Sequence, residues 1–310
     1  MKVMRLKINI LIYTIFVCVA VMFVSCDGAK QTDGRKIVVT IAPLAGLVEE
    51  IVGEDYEVSV LLPSGSTPEN YSPNPRQIAL LEGADMVFML GTMDFEQQIV
   101  KKFENQQNNS YVDVGKGIKL IAGGCSHSHS HEHLDCDCEH HSHSEHTEHH
   151  QVGTDPHIWL APGTLEVIVD NIADKILTQN PDSTKYCANY EQLKAKLQQR
   201  KECYREMLIT APKSFLIYHP ALGYLAEEYD LEQISLENDG KSPTPAALAE
   251  IVDRVKAEGI ESMIYQQEYP LDIVQPIAEI LDVNLVEINP LSKDIITELD
   301  RIVGTLTNSK

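Results

Sequence analysis

From Lys36 onward the apolar residues keep switching between two rhythms. Short runs rich in β-branched and aromatic residues, "KIVVTI", "YEVSVLL", "DMVFML" and "YVDV", read as strands. Between the first two lies "LAGLVEEIV", apolar at helical spacing and stopped by Gly53. After the second comes "PRQIALLEG", a short helix with Pro75 in its first turn, where a missing N–H costs nothing. Strands alternating with helices predict a small parallel α/β domain. The second half repeats the plan, with strands at "SFLIY", "QISLE", "ESMIY" and "LVEIN" and helices at "PALGYLAEEY", "PAALAEIVDRVKAEG" and "PLDIVQPIAEILD".

Between the halves, Tyr186, Tyr190, Leu193, Leu197, Tyr204 and Leu208 fall at steps of three, four and seven, which is one face of a helix from about Asp182 to Ile209. At 1.5 Å per residue that helix is about 40 Å long, enough to connect two domains. The expected fold class is therefore α/β, with a first domain over 36–180, a connecting helix over 181–210 and a second domain over 211–310.

The chain before residue 36 is of another kind. Lys2, Arg5 and Lys7 precede an apolar run from Ile8 to Val24 broken only by Asn9 and Thr14. Its length suits either a signal segment or an uncleaved anchor. The ending "FVSC" places the small Ser25 before Cys26, and this resembles a bacterial lipoprotein signal in which residues 1–25 are removed, Cys26 carries the lipid and 26–35 form a polar tether. Under both readings the remainder lies outside the cytoplasmic membrane, lipid-anchored under the first, and in the periplasm if the cell is Gram-negative.

Formal net charge is −21, and removing the three N-terminal cations leaves −24. That balance argues against a nucleic-acid partner and suits a protein that attracts cations. Cysteine usage adds no disulfide framework. Cys187 and Cys203 share the connecting helix, and sixteen helical residues separate them by about 24 Å, beyond the roughly 4.4 to 6.8 Å a disulfide spans; they are expected as packing residues.

Ten of the 12 histidines crowd into "CSHSHSHEHLDCDCEHHSHSEHTEHH", from Cys125 to His150. Alternation with Ser and Glu gives this segment no core, so a solvated loop over 124–152 is expected. Its imidazoles and thiols, His127, His129, His131, His133, Cys136, Cys138, His140, His141, His143, His146, His149 and His150, can bind metal loosely at overlapping positions. A well-formed site has to be built from the two remaining histidines, His157 in "TDPHIWLAP" and His219 in "FLIYHPALGY". In open parallel sheets ligands bind beyond the carboxyl ends of the strands. Glu69 follows "YEVSVLL", His219 follows "SFLIY", Gln266, Gln267 and Glu268 follow "ESMIY", and His157 comes just before a helix in a Pro-stiffened turn, so all can converge on one cleft between the domains.

These residues carry a resemblance. "LLPSGSTPENYSPNP", "DPHIWLAP" and "YHPALGYLAEEYDL", in that order and with the long helix and the His-rich run between motifs, resemble the metal-binding proteins of bacterial zinc and manganese ABC importers over nearly the whole mature chain. The resemblance implies two α/β lobes joined by a rigid helix with one metal between them, Zn2+ as the ion bound, an ABC importer permease as partner, and no catalysis. It implies His157 and His219 as ligands, and the His-rich run as an accessory beside the site. One position departs from the pattern. The family usually shows "PH" in the first loop, whereas this chain has "PENY", so Glu69 stands where the first ligand imidazole is expected. Carboxylate is a legitimate zinc ligand, and two imidazoles with one or two carboxylates also suit Mn2+ or Fe2+. For the fourth position the resemblance implies an acidic residue, a water or a carboxylate of the first loop; Glu268 is the candidate, with Gln266 and Asp272 behind it. Trp159 and Tyr71 are expected as wall and packing residues.

Two other functions use the same residues. A Glu/His/His site with an open position is also the arrangement of a zinc hydrolase, although the chain has no "HExxH" and no nucleophile elbow. A surface metal buffer or adhesin would rely on the run alone.

Overall fold

The structure, a computed structural model, describes residues 34–103, 111–123, 153–237 and 243–308. Cys26 and the run from Cys125 to His150 lie outside the described residues. Within them are two four-stranded parallel sheets. The first contains β1 (Lys36–Val39), β2 (Glu57–Val60), β3 (Met86–Met89) and β4 (Tyr111–Asp113) in the order β2-β1-β3-β4. The second contains β5 (Ser214–Ile217), β6 (Glu232–Ser235), β7 (Ser262–Gln266) and β8 (Asn284–Ile288) in the order β6-β5-β7-β8. The two orders are one topology used twice, which is the repeat visible in the hydrophobic pattern.

The helices are α1 (Ala42–Val52), α2 (Pro75–Glu82), α3 (Asp94–Phe103), α4 (Pro162–Gln179), α5 (Thr184–Leu208), α6 (Gly223–Tyr229), α7 (Pro245–Glu258), α8 (Leu271–Leu281) and α9 (Ile295–Asn308). Helix α2 opens with a capping box in which Asn74 accepts from the Gln77 N–H and Gln77 reaches back to the Asn74 N–H. Helix α3 adds to the expected set, as does α9, and α4 is the helix expected just after His157. The last two carry a clear helical stripe, Leu165, Ile168, Val169, Ile172 and Ile176 in α4 and Ile295, Leu299, Ile302 and Leu306 in α9, all buried.

The long helix α5 has 25 residues, about 37 Å of rise. It buries Tyr186, Leu193, Leu197, Tyr204 and Leu208. Cys187 and Cys203, expected as packing residues, are exposed instead, because they fall off that stripe. On one side Asn189 donates to the Ile51 carbonyl of α1; on the other, the Tyr204 hydroxyl donates to Asp300 of α9 at 2.7 Å.

Packing does not follow the boundary at residue 211. The buried face of α9 lies in the same apolar core as β1, β3, α1 and α4, and Phe215, Ile217 and Ile264 of the second sheet join it. Their neighbours Leu216, Met263 and Tyr265 face the other way, into a smaller core under α7 and α8 with Val255, Val274 and Ala278. Side chains alternate across a strand, so the second sheet is covered on both faces and one of them is shared with the first lobe. Contact between the lobes is close enough at Gly46 that an added Cβ would collide with the Lys293 carbonyl oxygen. No helix among the described residues is long and apolar enough to cross a membrane.

Candidate metal centre

Three segments beyond the carboxyl ends of the strands deliver the site. Glu69 sits in a 3-10 turn, Pro68–Asn70, whose first position is the proline. Tyr71 pins this turn by donating from its hydroxyl to the Leu61 carbonyl at 2.9 Å and by packing edge-on against Phe95. His157 lies in the turn before α4. There the Asp155 carboxylate accepts from the His157 N–H and pairs with its Nδ1, both at 2.8 Å, while Thr92 donates to the Pro156 carbonyl. His219 follows β5. Its carbonyl accepts from Gln266 Nε2 at 2.7 Å, and its Nδ1 pairs with Glu237 at 2.6 Å. Glu237 also accepts from the Tyr269 hydroxyl at 3.0 Å.

A carboxylate at each Nδ1 has one consequence for the neutral rings: the proton is held on Nδ1 and the lone pair is left on Nε2. Both lone pairs point to one place. His157 Nε2 and His219 Nε2 are 3.4 Å apart, and Glu69 Oε1 lies 3.5 Å from the first and 3.6 Å from the second. The corners of such a triangle are about 2.0 Å from its centre, which matches zinc–nitrogen and zinc–oxygen bond lengths of about 2.0 to 2.2 Å. It is also the size of one face of a tetrahedron of ligands at such distances, and the fourth corner of that shell falls above it. Among the described residues this is the group of His, Cys, Asp and Glu side chains gathered tightly enough to hold an ion.

The charges agree with the geometry. Burial opposes ionisation of Glu69, but its hydrogen bond to His157 and the charges of His157 and His219 outweigh this and hold the carboxyl below its ordinary range. Burial likewise disfavours the His157 imidazolium, and the hydrogen bonds and charges of Asp155 and Glu69 overcome it, lifting the group to about 9. The three groups open on a cleft of about 560 Å³ whose lining also includes Asp94, Asp155 and Glu237, so its walls concentrate negative charge. Gly123 and Gly153 line the same cleft. They are joined by a backbone hydrogen bond of 2.6 Å and flank the His-rich insertion.

Of the four ligands expected, Glu69, His157 and His219 are brought together. Glu268 lines the same small pocket, of about 30 Å³, without joining the tight group. Burial and the Glu69 charge push its carboxyl up, and its buried Oε1 has no hydrogen-bond partner among the described residues. Gln266 lines this pocket too, and its buried Oε1 likewise has no partner among the described residues. Asp272 is in the first turn of α8. Trp159 and Tyr71 are a buried wall and a loop anchor. Asp155, Glu237 and Tyr269 were missed by sequence reasoning. Asp155 had a local signal, an acid two residues before a candidate ligand; Glu237 had none, because a helix and a strand separate it from His219.

The family model described as zinc-uptake complex component A, periplasmic, matches residues 37–305. The zinc-binding protein AdcA of Streptococcus pyogenes serotype M6 is 30% identical over 271 residues, covering 85% of this chain and 52% of that protein. The chain thus spans about half the length of the streptococcal relatives it matches. The high-affinity zinc uptake system protein ZnuA of Bacillus subtilis is 31% identical over 250 residues, covering 78% of this chain and 75% of that one. Among solved structures, a crystal structure of ZnuA superposes with a TM-score of 0.75 at 26% identity, over 89% of this chain and 98% of the other.

Proposed function

The chain belongs to the zinc-uptake complex component A family, and on that premise we propose that it captures a divalent metal ion outside the cytoplasmic membrane and delivers it to the permease of an ABC importer. Zinc is the ion the site fits first. Two imidazoles and a carboxylate also accept manganese or ferrous iron. The observation that supports this reading above the others is the triangle of His157 Nε2, His219 Nε2 and Glu69 Oε1, whose edges of 3.4 to 3.6 Å are those of one ion's ligand shell. Glu268 is the side chain proposed to close the fourth position by a rotation toward the ion. Capture needs no chemical step. What the residues do is exchange the hydration shell of the ion for a preset one, with Asp155 and Glu237 keeping both rings aimed.

The His-rich run is proposed as an accessory reservoir. Its flanks Gly123 and Gly153 line the cleft, so ions held weakly on it are concentrated beside the tight site. Cys26 is proposed as the lipidated first residue of the mature chain. Intact-mass measurement of membrane-extracted protein would show a diacyl or triacyl adduct on a chain beginning there; an unprocessed N-terminus would defeat that assignment. Capture itself is tested by native mass spectrometry with elemental analysis of protein lacking residues 125–150. One tightly held zinc per chain, lost in His157→Ala and His219→Ala, is the expected result, and a protein that retains no metal after dialysis would overturn the reading.

A further inference from the structure

The ligand turn from Asp155 to Trp159 belongs to the first lobe by sequence, yet it is bonded to the second lobe at both ends. At its start the Asp155 carbonyl accepts from the hydroxyl of Tyr224, in α6, at 2.9 Å. At its end Trp159 Nε1 donates to the carbonyl of Pro290, just past β8, at 2.7 Å. His157 is the middle of this five-residue turn. Trp159 is 1% exposed, its ring centroid lies 5.3 Å from that of His157, and both Trp159 and Pro290 line the pocket that holds the three ligand atoms. The turn also fits closely against α6, where a Cβ added to Gly223 would come within 2.5 Å of Asp155 Oδ2.

We infer that Trp159 is a positioning residue of the metal site: through its N–H bond to Pro290 it holds His157 of one lobe at ligand spacing from His219 of the other before the ion arrives. The inference rests on the proposed metal capture. An ion whose ligands come from two bodies must otherwise bring those bodies together, and that ordering subtracts from affinity. If only a fraction of the free protein has the lobes in register, the apparent dissociation constant rises by the inverse of that fraction. A bond across the cleft two residues from the ligand keeps the fraction near one. A packing role alone does not account for an indole here, since a buried N–H costs stability unless an acceptor faces it, and this acceptor comes from the opposite lobe.

Trp159 is the single tryptophan of the chain, so the donor can be removed without mutation. Growth of a tryptophan auxotroph on benzothienylalanine, an isostere with sulfur in place of the N–H, changes position 159 alone. Zinc affinity by chelator competition is expected to fall about tenfold, which corresponds to a competent fraction of about one tenth. The absorption spectrum of the cobalt(II) derivative is expected to stay that of the unmodified protein, because no ligand is lost. Tyr224→Phe, which removes the bond at the other end of the turn, is expected to weaken zinc in the same direction and provides a second test if the isostere folds poorly. A merely structural role would lower the melting temperature of the metal-free protein and leave affinity unchanged. Unchanged zinc affinity in both proteins, with His157→Ala weakened, would overturn the inference alone. Equal zinc binding by the unmodified protein and His157→Ala would instead remove the capture reading beneath it.

Discussion

His157 and His219, 62 residues apart in the chain, present their Nε2 atoms to each other at 3.4 Å, with Glu69 Oε1 completing the triangle. A carboxylate in that company should set metal choice as well as affinity. Glu69→Ala is expected to weaken zinc by more than about 100-fold, above the 10–100-fold typical for loss of an outer-shell partner. Glu69→His supplies a third imidazole, a softer ligand. It is expected to raise the preference for zinc over manganese by at least about tenfold, roughly 1.4 kcal/mol in competition titrations. Unaltered affinities for both metals in Glu69→Ala would reduce Glu69 to a loop residue.

The orienting carboxylates give a milder and distinct effect. Asp155→Asn and Glu237→Gln keep the shape of the side chain but weaken the acceptor at Nδ1 of each histidine. Each is expected to lower zinc affinity about 10–100-fold while stoichiometry stays at one. Isothermal titration distinguishes this from loss of the site. A full-affinity Glu237→Gln protein would mean that Tyr269 and the strand geometry aim His219 without help.

Metal and proton compete for His157. In the metal-free protein this group is raised to about 9, so near pH 7 the site carries a proton that zinc must displace. Affinity is expected to rise with pH by close to tenfold per unit below about 9 and to level off above it. Titration near pH 7 in buffers of different ionisation enthalpy should report release of about one proton per zinc. The stability of the metal-free protein runs the opposite way. With the folded value above the ordinary histidine value, the contribution is fully present below about 6.5 and is lost as pH rises through about 9. A pH-independent zinc affinity would contradict the assignment of His157 as a ligand.

Deletion of residues 125–150 separates the two classes of binding. The tight site is built from side chains held by strands and turns, while a run with no core must be ordered anew by each ion. The deleted protein is expected to keep one tight zinc with affinity within about threefold of the full chain and to lose every weaker equivalent. Loss of the tight zinc would show the roles to be reversed.

Much of this was legible in the chain because it is local. The β-branched runs, the helical stripes and the Pro and Gly stops fixed two α/β halves, and the spacing of Tyr186, Leu193, Leu197, Tyr204 and Leu208 fixed the long helix to within two residues at its start and one at its end. The candidate ligands were legible too, as polar residues immediately past strands in a chain whose other histidines all fall in one low-complexity run. Folding decided what depends on approach between distant segments. It gathered Glu69, His157 and His219 and left Glu268 at the edge. It supplied Glu237 from just past the carboxyl end of the neighbouring strand β6, and it bonded the His157 turn to Tyr224 and Pro290. Local periodicity encodes which face of an element is buried, whereas ligand spacing is set by how two sheets and α9 share a core. Only the packed structure contains that distance.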